Sequence, residues 1–155
     1  YGNYPYVTSS TTLPYAACSI GFPPQMIKNI YGAAKIYDTR SGQDPLFPKS
    51  LLDDPVLSEI GILGQEYGVT TGRRRIVNWL NLDYLLKAIQ ISGTTHIIIS
   101  KCDVLEKIGE YNLFYQEHLI NFKTLQDMQN FISEKIKNYC KYIEGIEFSF
   151  SPETI

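Results

Sequence analysis

The sequence predicts an α/β fold, in which helices flank part of a mixed, mostly parallel sheet. At 155 residues with 44% hydrophobic composition, the chain is long enough for one domain with a buried core. A helix-like segment over residues 81–93 leads directly into the apolar run at residues 97–99, an order typical of α/β proteins. The run is continuous and β-branched instead of alternating, which indicates a parallel strand covered on both faces.

The first half of the chain supplies strands and short helices separated by turn residues. Residues 4–7 carry β-forming side chains and lead into a hydroxyl-rich loop. Two prolines open a short helix over residues 23–30, and a buried strand is expected over residues 33–39. Asp54 is a suitable N-cap, and apolar residues at helical spacing after it predict a helix that ends at Gly68.

The second half of the chain also predicts helices and strands separated by capping and turn residues. Asparagine and glycine bound the helix over residues 81–93 as its N-cap and its stop signal. Residues 110–122 alternate in polarity and predict an antiparallel strand pair. Thr124 can cap the longest helix, which is expected to run to about Glu144, and residues 146–152 predict a final strand that runs into a loop.

Charge and cysteine pattern exclude several protein classes. The net charge is −2 and the sequence pI about 5.7, so a broad basic surface for nucleic acid is not expected. No apolar stretch approaches the roughly 18 to 20 residues of a membrane span and no signal-peptide pattern occurs, so a cytoplasmic location is expected. Cys18, Cys102 and Cys140 show no CxxC spacing, which favours reduced thiols over disulfides or a zinc site.

Arginine is confined to loops, which indicates recognition of a local anion. The chain has ten lysines but only four arginines, and these are Arg40 and the run Arg73, Arg74 and Arg75. Glycines and threonines at residues 68–72 predict a cradle of hydroxyl and backbone N–H donors for a carboxylate or phosphate. In an extended segment, Arg73 and Arg75 point to one side and Arg74 to the other. The alternative is that this segment is a solvent-exposed loop whose charge aids solubility and binds no specific ligand.

A second candidate site follows the strand at residues 97–99. Lys101 and Asp103 stand after its carboxyl end, where open α/β sheets bind ligands. A carboxylate there can accept from the N1–H and N2–H groups of guanine, and the lysine stem can cover the base. The alternative is an ion pair at the strand end. His96 and His118 lack partners at metal-ligand spacing, and no nucleophile motif occurs, so no catalytic or metal residue is predicted.

Several motifs in this order resemble the C-terminal half of the adenylosuccinate synthetase family. They are YPYVTSSTT, KIYDTRSG, GQEYGVTTGRRRIVNWLNLDYLLKAIQISG, SKCDVL and SFSPETI. The similarity runs from Tyr4 to Ile155 and is dense between Gly64 and Leu105. It implies an α/β fold related to P-loop proteins, with residues 1–155 forming the C-terminal portion of a single domain whose N-terminal half is absent.

The resemblance implies a purine-biosynthesis ligase that joins L-aspartate to IMP with GTP hydrolysis and Mg²⁺, as a cytoplasmic homodimer. It implies that aspartate is bound by Val69, Thr70, Thr71, Gly72, Arg73 and Arg75. It implies that the purine monophosphate is bound by Thr8, Arg40, Ser41 and Arg73. It implies that GTP is bound by Arg75, Lys101, Asp103, Ser149, Phe150 and Ser151.

Departures from the family pattern leave alternatives open. No Gly-rich phosphate loop occurs, and the family's catalytic and magnesium residues belong to the absent half, so the chain is expected to be inactive alone. It is then a fragment, or one partner of a split enzyme whose N-terminal half is a separate chain. A phage-type relative that uses dGMP, with ATP as a possible energy donor, and a non-catalytic guanine-nucleotide-binding domain are the alternative functions.

Overall fold

The computed structural model describes residues 13–42, 44–151 and 153. Thr8 and the predicted strand over residues 4–7 lie outside this part of the chain. The strands are β1 (Tyr31–Lys35), β2 (Tyr37–Arg40), β3 (Ile76–Asn81), β4 (His96–Ser100), β5 (Tyr111–Tyr115), β6 (His118–Phe122) and β7 (Gly145–Phe148). The α-helices are α1 (Leu13–Ser19), α2 (Pro55–Leu63), α3 (Leu82–Ser92), α4 (Cys102–Ile108) and α5 (Leu125–Tyr139).

The described strands form two sheets. One is a three-stranded parallel sheet in the order β1-β4-β7, and the other has the order β2-β3-β5-β6. In the second sheet β3 and β5 pair parallel, whereas the β2–β3 and β5–β6 pairs are antiparallel. The predicted α/β class with mostly parallel pairing is therefore confirmed, as is the antiparallel pair over residues 110–122.

The strand predicted over residues 33–39 is in fact two strands in different sheets. The change occurs at Ile36, which is fully buried and whose N–H donates to the carbonyl of Ser100 at 3.0 Å. β1 therefore stays paired with β4 up to this residue, and Tyr37 then pairs with Trp79 of β3. A run of strand-forming residues does not show where the chain changes its hydrogen-bonding partner. The sequence therefore predicted one strand where the structure has two.

Helix α2 begins as predicted and ends earlier than predicted. The Asp54 carboxylate accepts from the N–H of Leu57 at 2.9 Å and caps the helix. The helix ends at Gly64 instead of Gly68, and the N–H of Glu66 then bonds back to the carbonyl of Gly61 at 2.9 Å. The residues after Gly64 are drawn into a loop that pairs with the arginine segment, and this long-range pairing overrides the local helical pattern.

Helix α3 matches its predicted caps, whereas two other helices are shorter than predicted. The Asn81 side chain accepts from the N–H of Tyr84 at 3.1 Å, and Gly93 adopts the left-handed conformation at φ 67°. Helix α5 ends at Tyr139 instead of near residue 144, because the following segment turns toward β7. The two prolines open only a three-residue 3-10 helix, Pro24–Met26. No helix in the described part of the chain is long and apolar enough to cross a membrane.

One hydrophobic cluster joins both sheets to the helices. It includes Ile99 from β4, Leu113 from β5, and Leu105, Met128 and Ile132 from the helices, all fully buried. Because the core contains side chains from both sheets, the two sheets are held as one unit. The carboxyl ends of β1, β4 and β7 lie together at one edge of the parallel sheet, where the sequence predicts a ligand site.

Candidate functional site

The predicted guanine-reading residues lie together at the carboxyl edge of the parallel sheet. Lys101 and Asp103 follow β4, and the segment from Ser149 follows the neighbouring strand β7. The N–H of Ser149 donates to the carbonyl of Ile99 at 2.9 Å, and the N–H of Cys102 donates to the carbonyl of Ser149 at 3.2 Å. These backbone bonds fix the two strand ends relative to each other, as the sequence pattern requires.

Lys101 is held in an unusual backbone conformation. It is the residue before α4 and adopts φ 67°, in the left-handed region that few non-glycine residues enter. Its ammonium group donates to the carbonyl of Gly64 at 3.1 Å, in the loop after α2. Asp103 lies in the first turn of α4, 3.4 Å from the ammonium of Lys107, and its side chain is 32% exposed. The Asp103 carboxylate is therefore accessible to a ligand.

The segment after β7 forms a tight turn. Ser149 is buried, and its hydroxyl donates to the carbonyl of Ser151 at 2.7 Å. Phe150 is exposed and presents its ring to solvent. The Ser149 hydroxyl thus shapes the turn in this conformation, while Phe150 is the residue of the segment that can cover a flat ligand.

The arginine loop closes on itself. The N–H of Gly68 donates to the carbonyl of Arg73, and the N–H of Gly72 donates to the carbonyl of Gly68, both at 2.8 Å. The Thr71 hydroxyl accepts from the N–H of Arg73 at 3.3 Å. Two N–H groups of the predicted backbone cradle, those of Gly68 and Gly72, are therefore engaged within the loop itself. Residues 69–73 are exposed, Val69 almost completely, so their side chains are accessible to a ligand.

The three consecutive arginines have three different environments. Arg73 is exposed at the tip of the loop. Arg74 points toward α2, where its guanidinium donates to the hydroxyl and the carbonyl of Ser58 at 2.6 and 3.0 Å. Arg75 donates to a carboxylate oxygen of Glu66 at 3.1 Å. Arg74 is thus separated from both neighbours, as side-chain alternation predicts, and its contacts are structural.

Glu66 is the centre of a buried cluster that the sequence did not single out. One carboxylate oxygen accepts from the ammonium of Lys35 at 2.7 Å and from Arg75 at 3.1 Å. The other accepts from the hydroxyl of Tyr37 at 2.9 Å. The Glu66 side chain is only 3% exposed. The sequence offers one indication of this cluster, which is an acidic residue between Gly64 and Gly68, a few residues before the three arginines. It does not show which residues bind the Glu66 carboxylate.

Burial and hydrogen bonding oppose each other in this cluster. Burial alone would raise the pKa of Glu66, but the hydrogen bonds and charge of its donors, Lys35 first, lower that pKa overall. Burial lowers the pKa of Lys35, and the Glu66 charge counteracts this in part. Burial also raises the pKa of the Tyr37 hydroxyl, and the Glu66 carboxylate raises it further. Glu66 is therefore an ionised acceptor that is shared by two cations and a neutral phenol.

Of the predicted purine-monophosphate residues in the described part of the chain, Arg40 lines a groove of about 770 Å³, whereas Ser41 and Arg73 are not among its lining residues. Arg40 donates to Asp44 at 3.0 Å and lies 4.9 Å above the ring of Phe47. Ser41 is exposed directly after it. Lys35 also lines the groove, so the Glu66 cluster extends from the arginine loop to this cavity.

Asp38 is a further groove residue that the sequence did not single out. Its carboxylate accepts from the N–H of Asn81 at 3.0 Å. Burial raises its pKa to about 6, against the opposing effects of the Asn81 hydrogen bond and the nearby Arg40 and Lys35 charges. The groove therefore contains a carboxylate that changes charge close to neutral pH.

Comparisons with known proteins give a consistent result. A family model described as adenylosuccinate synthetase matches residues 1–147. Proteins named adenylosuccinate synthetase from Lodderomyces elongisporus and Yarrowia lipolytica are 39% and 46% identical over 93% and 71% of this chain, and over 40% and 25% of their own lengths. One named adenylosuccinate synthetase, chloroplastic, from Ostreococcus tauri is 38% identical over 94% of this chain and 30% of its own length.

A solved structure supports the fold. It is a fully ligated adenylosuccinate synthetase from Plasmodium falciparum, with a TM-score of 0.68 and 24% sequence identity over 96% of this chain and 44% of that chain. At this identity the similarity establishes the fold alone. The chain spans 40% of the length of the Lodderomyces relative and smaller shares of the other two.

Proposed function

The chain belongs to the adenylosuccinate synthetase family, and we propose that it forms the C-terminal portion of a ligase that joins L-aspartate to IMP with hydrolysis of GTP. The observation that carries this proposal is the short segment from Gly64 to Glu66. Its ends contact Lys101, which belongs to the guanine-reading pair, and Arg75, which belongs to the aspartate loop. The nucleotide and the amino acid of one reaction have to be bound in the same active site, and this segment joins residues of the two proposed sites.

The arginine loop is suited to a dicarboxylate. Arg73 is exposed, and Thr70 and Thr71 expose hydroxyl-bearing side chains beside it. A guanidinium can bind a carboxylate through two parallel hydrogen bonds, which a lysine cannot do. We assign the carboxylates of aspartate to these side chains, with Val69 and Gly72 completing the loop, and the Arg75 guanidinium to the boundary with GTP.

The end of the parallel sheet is suited to a guanine base. Asp103 presents a partly exposed carboxylate that can accept from the N1–H and N2–H groups. The Lys101 ammonium donates to the carbonyl of Gly64, and we assign the aliphatic stem of Lys101 to the face of the base. Phe150 and the turn at Ser149 and Ser151 can cover the other edge of the base. A neighbouring groove lined by Arg40 is our proposed position for the purine monophosphate, and we assign Ser41, Thr8 and Arg73 to the same ligand.

Magnesium is not assigned to the described residues. Among them no group of three or more His, Cys, Asp or Glu side chains is arranged to hold a metal ion. A divalent ion bound to the phosphates of GTP neutralises their charge during phosphoryl transfer. We place its ligands and the phosphate-binding loop in the N-terminal portion of the enzyme, and no step is assigned to a metal bound by this chain.

The edge of the parallel sheet at β1 is the surface that we propose for this N-terminal portion. β1 pairs on one side only among the described strands, and apolar residues of α3, including Leu85 and Ile89, line the groove beside it. Met26 and Tyr31 are exposed near this edge. We propose that the N-terminal portion covers this groove, either in one polypeptide or as a separate chain. A cytoplasmic homodimer is the assembly that we propose.

The test is to assay the complete enzyme for GTP cleavage with each substrate omitted in turn. We expect cleavage only when aspartate and IMP are both present, and we expect Arg73→Ala to raise the KM for aspartate. Lys141→Ala is the matched control, because Lys141 is exposed and remote from the site in sequence. GTP cleavage that does not depend on aspartate would contradict the proposal. Binding of GDP without any turnover would favour a non-catalytic guanine-nucleotide-binding domain. Use of dGMP in place of IMP would favour the phage-type reaction.

A further inference from the structure

The strongest unassigned feature of the molecule is the buried carboxylate of Glu66. It receives hydrogen bonds from residues at three separate points of the chain, namely Lys35 at the end of β1, Tyr37 at the start of β2, and Arg75 just before β3. Lys35 and Tyr37 flank the residue at which the chain passes from one sheet to the other. Glu66 therefore fixes the arginine loop to the junction between the sheets.

We propose that Glu66 is a positioning residue that sets the Arg75 guanidinium for an anionic ligand, and that Lys35 shares this anion site. The proposal rests on the function proposed above and adds two residues to its site. Glu66 acts through Arg75 and Lys35, and does not itself contact a negatively charged ligand, because its two oxygens are already engaged and its side chain is buried.

The geometry leaves Arg75 able to bind a second partner. Its guanidinium donates to Glu66 through one terminal nitrogen, and about 30% of its side chain is exposed. Its Nε is buried without a hydrogen-bond partner among the described residues. A guanidinium that is anchored through one nitrogen loses little rotamer freedom when a ligand binds the others, which is the advantage of a preorganised site.

Charge supports the same interpretation. Arg75 and Lys101 both lie close enough to Lys35 for their positive charges to act on it. Glu66 is the buried carboxylate that balances the charges of Lys35 and Arg75. Two cations sharing one anion leave a net positive charge at the site. A bound carboxylate or phosphate compensates this charge, and without Glu66 the two cations repel each other and move apart.

The first variant is Glu66→Gln, which preserves shape and removes the charge. In the complete enzyme we expect the KM for aspartate or GTP, the ligands proposed for Arg75, to rise about 10-fold or more, with a smaller change in kcat. The same substitution in an Arg75→Ala background is expected to have little further effect on KM, because both changes remove one interaction. Glu59→Gln on the exposed side of α2 is the matched control, with no change in KM.

Glu66→Asp keeps the charge and shortens the side chain. This variant keeps the inference testable if Glu66→Gln does not fold. We expect Glu66→Asp to fold and to raise KM by an intermediate amount, because a shorter carboxylate does not reach Lys35 and Arg75 together. An unchanged KM in folded Glu66→Gln or Glu66→Asp would overturn the inference. Fully additive effects of Glu66→Gln and Arg75→Ala would also overturn it, because Glu66 would then act independently of Arg75.

A measurement that does not depend on activity separates this inference from the proposed function. In ¹⁵N NMR of the complete enzyme, we expect the Arg75 guanidinium to give resolved side-chain signals in the wild type, because rotation about its terminal bonds is restricted. These signals should collapse into one averaged signal in Glu66→Gln, because rotation becomes fast, and should stay resolved in Glu59→Gln. If they collapse while the wild type shows no aspartate-dependent GTP cleavage, the proposed function fails and the positioning by Glu66 stands. If they persist, positioning fails whatever the activity.

Discussion

Asp38 is a largely buried carboxylate whose ionisation the fold disfavours. Burial raises its pKa from 3.8 to about 6, although Arg40 and Lys35 are nearby. The folded state therefore binds this proton more tightly than the unfolded chain does. The stabilisation is fully present below about pH 4 and is lost as the pH rises through about 6.

The expected consequence is that Asp38→Asn stabilises the protein above pH 7. Asparagine keeps a carbonyl oxygen that can accept from the N–H of Asn81 and has no charge to bury. We expect a gain of about 1 to 2 kcal/mol at pH 8. Urea unfolding at pH 8 and pH 4 checks this, and an equal difference between variant and wild type at both pH values would contradict it.

At the scale of elements, Arg74 attaches the arginine loop to helix α2. Its two hydrogen bonds to Ser58 hold the loop against the helix while leaving Arg73 free to extend into solvent. We expect Arg74→Ala to lower the free energy of unfolding by about 1 to 2 kcal/mol, because charged hydrogen bonds contribute more than neutral ones. Ser58→Ala removes only the hydroxyl contact and should have a smaller effect. A larger loss in Ser58→Ala than in Arg74→Ala, measured by thermal unfolding, would contradict this assignment.

The end of α2 depends on close packing at Gly64. A Cβ added there would overlap the hydroxyl of Tyr37 and lie 2.9 Å from the carbonyl of Ile60. Gly64→Ala should therefore displace Tyr37 from Glu66 and lower the free energy of unfolding by about 2 to 4 kcal/mol. Gly42→Ala is the control, since a Cβ there meets nothing within 4 Å. Chemical denaturation of the two variants checks this, and similar losses in both would contradict it.

Local signals were sufficient for the elements whose boundaries are set by the chain itself. The caps of α3 at Asn81 and Gly93 and the cap of α2 at Asp54 were all predictable, because each depends on residues within one turn. The end of α2 and the break at Ile36 were not predictable. Both depend on pairing with distant segments, and a sequence pattern records what is buried without recording its partner.

At the scale of the whole molecule, the sequence correctly predicted which residues come together at the carboxyl edge of the parallel sheet, and their binding of a ligand stays a prediction. Lys101 and Asp103 lie at the edge that α/β topology predicts, next to the end of β7. The family resemblance is confirmed by the comparisons. The Glu66 cluster could not be predicted in the same way, because it joins residues from three segments that approach one another only after both sheets have formed.

The most direct test of the account is a change of base specificity at Asp103. A carboxylate accepts from the N1–H and N2–H groups of guanine, whereas an asparagine amide offers one donor and one acceptor, which suits xanthine. Steady-state kinetics of the complete enzyme should be compared with GTP and with xanthosine triphosphate, for the wild type and Asp103→Asn. We expect the preference for GTP to shift toward the xanthine nucleotide by at least about 100-fold. If Asp103→Asn keeps the wild-type preference for GTP, the strand-end site does not read guanine and the account is contradicted.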